Sequence, residues 1–322
     1  MELLPPLSAG SISLRLYPHD ELDAPGIVDE LRTQARAAES AGFDGVMTSE
    51  HHGGFAGYLP NPIQAAGWAL EATEAAWAAP CPLLLPLRPT ALVAEELAWS
   101  AARFPGRVGL GVAAGSRVED FELLGSDKAE LTARFDTALA VLARALGAAD
   151  ASGAGSGDDL VERLQGDPAV ARCRRHPVPL VSAAMSRTAA RRAAAHGAGL
   201  LFDSLSGTDR VRALVEDHRE AGGDQPAVLI RRVWVGPPPT EQFERQVTRY
   251  RGYAEAGAQA HWRSDALLAG PDAASVAHQL RAAATEAGTD ALNLRVHAPG
   301  VPPAAVRDQI ERLGDVVALL RG

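Results

Sequence analysis

The chain has 322 residues, 47% of them apolar and 22% charged, a globular balance with ample material for a core. Its formal net charge of -9 argues against a nucleic-acid surface, because phosphate binding needs a concentrated positive field. The two cysteines, Cys81 and Cys173, lack the spacing of a metal site or disulfide framework, and no apolar run reaches the length of a membrane span. With no basic leader ahead of a long apolar stretch, a cytoplasmic, reduced protein is expected, in contact with neither membrane nor nucleic acid.

The first strand is predicted over residues 12–17, with Pro18, His19 and Asp20 at its exit. Ile27, Val28, Leu31, Ala35, Ala38 and Ala41 then recur at helical spacing, and Gly42 stops that helix. Gly45-Val46-Met47 reads as a brief buried strand that ends on Thr48-Ser49-Glu50-His51-His52. Pro60-Asn61-Pro62 opens an alanine-rich helix expected to run through Trp77, followed by a third strand at 83–85 and a helix at 92–103. A fourth strand at 107–112 precedes a helix at 128–146.

Residues 147–157 have the composition of a flexible linker near the midpoint, so a two-domain split is the competing architecture. Beyond it the alternation resumes, with strands at 178–181, 199–202, 227–235 and 291–296 and helices at 187–196, 209–220 and 303–320. Residues 237–271, which include His261, Trp262 and Arg263, form a mostly helical insertion before the last strand, expected to roof the pocket. Eight strand–helix units fit a closed (β/α)8 barrel of the TIM type better than an open sheet, with residues 1–322 as one domain.

Polar side chains at the C-terminal tip of a parallel strand point into the mouth where such folds bind ligands, which singles out residues 48–52. An imidazole there can hold or pass a proton near neutral pH. Adjacent residues of an extended strand face opposite ways, so His51 and His52 do not both face the pocket, and a Glu50/His51/His52 metal cluster is disfavoured. His51 is preferred as the pocket residue, with Glu50 as a packing or hydrogen-bonding partner. Gly109-Leu110-Gly111 and Ala113-Ala114-Gly115 do not have the spacing of a dinucleotide fingerprint, so no nicotinamide site is expected.

Several segments in series resemble the bacterial luciferase-like, flavin-dependent monooxygenase family. They are Glu50-His51-His52, Asn61-Pro62, Leu85-Pro86-Leu87-Arg88-Pro89, Ala94-Glu95-Glu96-Leu97-Ala98, Gly106-Arg107-Val108-Gly109-Leu110-Gly111 and Asp120-Phe121-Glu122-Leu123-Leu124-Gly125. A weaker likeness continues through Ser182-Ala183-Ala184-Met185-Ser186-Arg187 and Ala193-Ala194-Ala195-His196-Gly197. Coverage of both halves favours one barrel. The resemblance implies a TIM-like barrel that takes reduced FMN from a separate reductase and uses O2 on a small organic substrate, an oxidation of paired donors. Some relatives instead use the deazaflavin coenzyme F-420 for hydride transfer, and a flavin-binding barrel without turnover is the third possibility.

By the same resemblance His51 is the proton-handling residue at the flavin edge, and Cys81-Pro82 falls where the family carries a cis peptide beneath the flavin ring. Gly111, Ala113 and Ala114 leave room for a flat ring against the backbone. The turn from strand into helix at Ala184, Met185, Ser186 and Arg187 offers free amides and a positive helix end to the flavin phosphate, alongside plain N-capping by Ser186. Luciferase proper has a cysteine and an arginine where this chain has Ala113 and Ala114, leaving Arg15, Arg88 or Arg187 to take the lost arginine's place. Tyr17, His19, Glu50 and Arg295 are further pocket candidates, with His297 beside them. Apolar surface around Trp68, Trp77 and Trp99 is expected to serve a homodimer.

Overall fold

A computed structural model describes residues 3–149, 157–253, 262 and 267–322. Ten strands make one sheet in which every neighbouring pair is parallel. These are β1 Ile12–Arg15, β2 Gly45–Thr48, β3 Trp77–Pro80, β4 Leu83–Leu84, β5 Leu110–Ala113, β6 Leu180–Ala183, β7 Gly199–Phe202, β8 Ala227–Val235, β9 Leu267–Gly270 and β10 Ala291–Arg295. The order β3-β2-β1-β10-β8-β7-β6-β5-β4 brings the two pieces of one chain run, β3 and β4, to the two ends of the path. That run crosses the cis Cys81–Pro82 bond, so nine strands form eight staves of a nearly closed parallel barrel.

Helices pack outside: α1 Ala24–Ser40, α2 Pro62–Ala72, α3 Thr90–Arg103, α4 Val118–Leu123, α5 Leu131–Ala145, α6 Asp158–Leu164, α7 Pro168–Cys173, α8 Arg187–Ala195, α9 Thr208–Glu220, α10 Thr240–Tyr253, α11 Ala273–Ala287 and α12 Pro303–Arg321. Their starts follow from sequence: Asp23, Asn61, Asp167, Ser186 and Asp272 each accept a backbone N–H of the first turn, and prolines occupy the first positions of α1, α2, α7 and α12. Strands buried on both faces read as apolar runs, which is why most were visible in the sequence.

Two expectations are corrected. The alanine-rich helix does not reach Trp77: α2 ends at Ala72, and Trp77 begins β3. Long-range polar contacts decide this. The Glu39 carboxylate accepts the N–H groups of Glu74, Ala75 and Ala76, while Arg107 donates to the carbonyls of Leu70, Thr73 and Ala76. Those contacts outweigh the helical propensity of alanine. Trp77 is therefore buried inside the barrel and is no part of a surface face. The second correction concerns residues 237–271: after α10 the chain returns as β9, parallel to the end of β8. The linker at 150–156, together with His261 and Arg263, lies outside the described residues.

Two apolar layers result. The larger lies between strands and helices; the smaller fills the barrel, with Leu7, Met47, Trp77, Ala79, Cys81, Val181, Leu201, Val228, Ile230 and Ala291. Glycines make room for the bulky members. A Cβ on Gly45 would lie 2.1 Å from the Trp77 ring, and one on Gly111 would lie 2.1 Å from Cys81 Sγ. This packed interior closes the lower barrel and leaves the C-terminal strand ends to form a mouth. No helix among the described residues is long and apolar enough to cross a membrane.

Candidate functional site

A cavity of 480 Å³ opens at that mouth, within the size range of small-molecule sites. Strand ends supply most of its wall: Arg15 at the end of β1 and Tyr17 beyond it, Ser49, Glu50 and His51 after β2, Pro82 and Leu84 at β4, and Ile230 and Arg295 from β8 and β10. Ala183 and Met185 line it beyond β6, and residues 201–205 beyond β7. Tyr250 of α10 and Trp262 reach it from the 237–271 segment, and Tyr58 from the loop after His51.

His51 Nδ1 lies 2.7 Å from Oδ2 of Asp120, a fully buried carboxylate on α4. The other oxygen, Oδ1, accepts the His52 N–H at 3.0 Å and Arg117 Nη1 at 2.9 Å. Burial alone would raise the Asp120 carboxyl; the hydrogen bonds from His51 and His52 and the charges of His51 and Arg117 outweigh it and hold it below the ordinary value. A carboxylate can only accept, so His51 donates through Nδ1, and in the neutral ring Nε2 is the basic nitrogen. Tyr58 and Phe55 wall the imidazole, with ring centres 4.5 and 5.0 Å away.

His52 turns the other way, as strand geometry requires, and its Nε2 meets Glu50 Oε1 at 2.8 Å. Glu50 is a buried hub, not a lone acid. It also accepts Arg88 Nη2 at 2.9 Å and, through Oε2, the Leu84 N–H at 2.6 Å. Among the described residues no group of three His, Cys, Asp or Glu side chains is arranged to hold a metal ion.

Of the residues singled out in the sequence, Arg15, Tyr17, Glu50, His51, Pro82, Met185 and Arg295 share this cavity. Others do not reach it. Cys81 points into the barrel beneath, where burial pushes its thiol up to about 11 against the opposing charge of Arg15. Gly115 and Ser116 line the cavity where Ala113 and Ala114 were expected, and Ala183 does so in place of Ala184, which is buried in the outer layer. Ser186 caps α8 by accepting the Ala189 N–H. Arg187 pairs on the outer surface with Asp217 at 2.7 Å and with Glu220. His19 sits behind Tyr17, edge-on to His297 and bonded to Gln34.

Several polar groups escaped the sequence reading. Asp120 and Arg117 are brought to His51 by α4, a short helix not anticipated there. Ser49 lines the cavity, and its Oγ is buried without a partner among the described residues. Arg210 donates to the Met185 carbonyl at 3.1 Å beside the start of α8, and its Nε has no partner among them. Tyr250 Oη accepts from Arg295 Nη2 at 2.6 Å and lies 2.8 Å from Tyr58 Oη. Burial pushes the Tyr250 phenol up, but Arg295, Arg232 and the hydrogen bonds of Tyr58 and Arg295 bring it below the ordinary value.

The sequence profile described as luciferase-like monooxygenase matches residues 13–318. The chain belongs to that family. It is 30% identical over 114 residues to the alkanal monooxygenase alpha chain of the Kryptophanaron alfredi symbiont, 35% of this chain and 32% of that protein. The chain thus spans about a third of that relative's length.

Two solved structures show the same fold. The oxygenating constituent of 3,6-diketocamphane monooxygenase from Pseudomonas putida, a type II Baeyer-Villiger enzyme in complex with FMN, has a TM-score of 0.74 at 20% identity, covering 96% of this chain and 98% of that one. An F-420-dependent secondary alcohol dehydrogenase in complex with an F-420–acetone adduct has a TM-score of 0.72 at 20% identity, covering 98% of this chain and 100% of that one. At such identities the likeness is one of fold.

Proposed function

We propose that this luciferase-like barrel is a flavin-dependent monooxygenase that takes reduced FMN from a separate reductase and uses O2 on a small organic substrate. The observation that carries the reading is one cavity lined by His51, whose imidazole is held by Asp120, by Pro82 and by Met185 on the approach to α8. The fit to a flavin is good in kind. Pro82, Leu84, Leu201 and Ile230 present apolar surface to a flat ring, and the orphaned Ser49 hydroxyl offers it a hydrogen bond. Met185 lines the same space, with the helix start and the half-satisfied Arg210 guanidinium beside it for a phosphate.

The bound reduced flavin would supply the electron pair that activates oxygen. The chain does the rest. Asp120 orients the imidazole, His51 Nε2 holds or delivers the proton at the ring edge, and the Tyr58 and Phe55 walls keep water from that nitrogen. Arg187, engaged with Asp217, is left out of the phosphate seat in this reading.

Titration of the purified protein with FMN, reduced FMN and F-420 tests the proposal. Reduced FMN is expected to bind tightest and to support oxygen uptake with a substrate panel. Tight F-420 binding without oxygen uptake would establish the second reading, a deazaflavin oxidoreductase, which the F-420-bound neighbour keeps in view. Flavin binding without turnover would leave a non-catalytic barrel.

A homodimer belongs to the same proposal, supported by the half-buried Trp68 of α2 and by the outer face of α3. Leu92 and Trp99 are 46% and 54% exposed and stand seven residues apart, on one face of the helix. Sedimentation at micromolar concentration should give a dimer; a monomer there removes this part.

A further inference from the structure

Three adjacent strands, β1, β10 and β8, carry an arginine at the same level of the barrel mouth. Arg295 is the register partner of Arg232, and Arg15 follows Leu14, whose partner Leu294 precedes Arg295. All three side chains are buried, with 1% exposure at Arg232 and 3% at Arg15 and Arg295. No carboxylate among the described residues pairs with any of them.

The two acids that line the cavity are engaged elsewhere: Glu50 with His52, Arg88 and the Leu84 N–H, and Asp203 with the N–H groups of Leu205 and Ser206. Arg15 is satisfied by Asn293 Oδ1 and the Cys81 carbonyl. Arg232 is not. Its Nε and Nη2 are buried with no acceptor, beneath the Tyr250 ring at 5.7 Å.

Burying one guanidinium without an anion costs several kcal/mol, and burying neighbouring ones adds mutual repulsion. The repulsion is felt: burial first, and then the charge of Arg295, lower Arg232 to about 10. Among the described residues no anion balances this arrangement beside the cavity that Arg295, Tyr58 and Tyr250 line.

We infer that Arg295 at the cavity wall, backed by the unpartnered Arg232 behind the Tyr250 ring, forms with the hydroxyls of Tyr250 and Tyr58 a recognition subsite for a carboxylate carried by the organic substrate. The inference rests on the flavin reading for its substrate, and it places that substrate's acid group across the cavity from the α8 start. A planar carboxylate suits two guanidiniums better than a neutral carbonyl does, since charge-assisted bonds are roughly twice as strong as neutral ones.

The test uses the full-length protein without cofactor, so that its failure is separate from failure of flavin binding. Calorimetric titration would compare benzoate with benzamide and octanoate with octanamide. At least one acid is expected to bind about tenfold or more tighter than its amide, and Arg295→Gln should abolish that preference while Arg295→Lys keeps part of it. Equal binding of acid and amide in the unmodified protein, or no binding of either acid, overturns the proposal whether or not the variants fold.

A parallel titration with FMN and riboflavin separates the other source of an anion. If Arg295→Gln removes the advantage of FMN over riboflavin, the wall seats the flavin phosphate and the substrate assignment falls. A tyrosinate absorbance in the ligand-free protein at neutral pH would overturn it too, because Tyr250 would then be the missing anion.

Discussion

His51→Ala is expected to lower turnover by about 10²–10⁴-fold, the usual weight of a positioned acid–base group, while reduced-flavin affinity stays nearly unchanged. The geometry makes a second variant more diagnostic. Asp120 Oδ2 takes the Nδ1 proton of His51 while Oδ1 takes the His52 N–H and Arg117. In Asp120→Asn one of those oxygens becomes an NH2, so a donor must face either His51 or the Arg117 side. If it faces His51, the ring is driven to the opposite tautomer, with Nε2 protonated, and the basic nitrogen turns away from the substrate.

Turnover in Asp120→Asn should therefore fall steeply with the fold intact, as read by circular dichroism and by kcat against pH. If both His51→Ala and Asp120→Asn turn over at the unmodified rate, the pair has no part in the chemistry. Protonation of Asp120 itself should leave no mark on the rate near neutrality. Its folded-state carboxyl is depressed, so the stability it lends is fully present above its unfolded value of about 3.9 and is lost only as pH falls through the lower folded value. The His51–Asp120 bond thus persists over the whole working range.

The alternation of strands and helices was readable because strands buried on both faces stand out as apolar runs between capped helices. Trp77 was not readable. Its flanking alanines favour a helix by local propensity, and what forces the chain straight is Glu39 and Arg107, which lie 35 and 31 residues from the backbone they satisfy. The site divides the same way. His51 follows from its place at a strand tip, but Asp120, though part of a segment that resembles the family, is 69 residues away, and nothing in the sequence shows that the two meet.

The arginine row did leave a trace. Arg231 and Arg232 interrupt the apolar run of β8 and Arg295 ends the buried run of β10, and a charge in such a run must find a partner. Sequence alone shows the anomaly at each position but not that Arg232 and Arg295 are adjacent, since the register of β8 against β10 is set by the closing barrel.

The largest effect on stability is expected at Glu50, from Glu50→Ala. The side chain is 1% exposed, and its two oxygens tie three separate pieces of the mouth: His52 beyond β2, the backbone of β4 at Leu84, and the Arg88 guanidinium. Removing it leaves the Leu84 N–H without its acceptor and Arg88, which keeps only the Pro60 carbonyl, without its counter-charge, the situation in which a broken buried pair costs about 3–5 kcal/mol. For a chain of this length that corresponds to a fall in Tm of roughly 4–7 °C.

Glu50→Gln should cost less. Its amide keeps one acceptor for Leu84 or Arg88 but turns a donor toward the other, so the charge-assisted bond to Arg88 is lost while the volume is kept. A graded series, with the unmodified chain above Gln and Gln above Ala, is the outcome expected of a structural clip. Equal Tm values across the three would mean that the clip holds nothing. Because Leu84 and Pro82 share the cavity wall with His51, the same loosening should weaken flavin binding in step with stability. Such parallel losses separate Glu50 from His51, whose replacement is expected to slow turnover without weakening flavin binding.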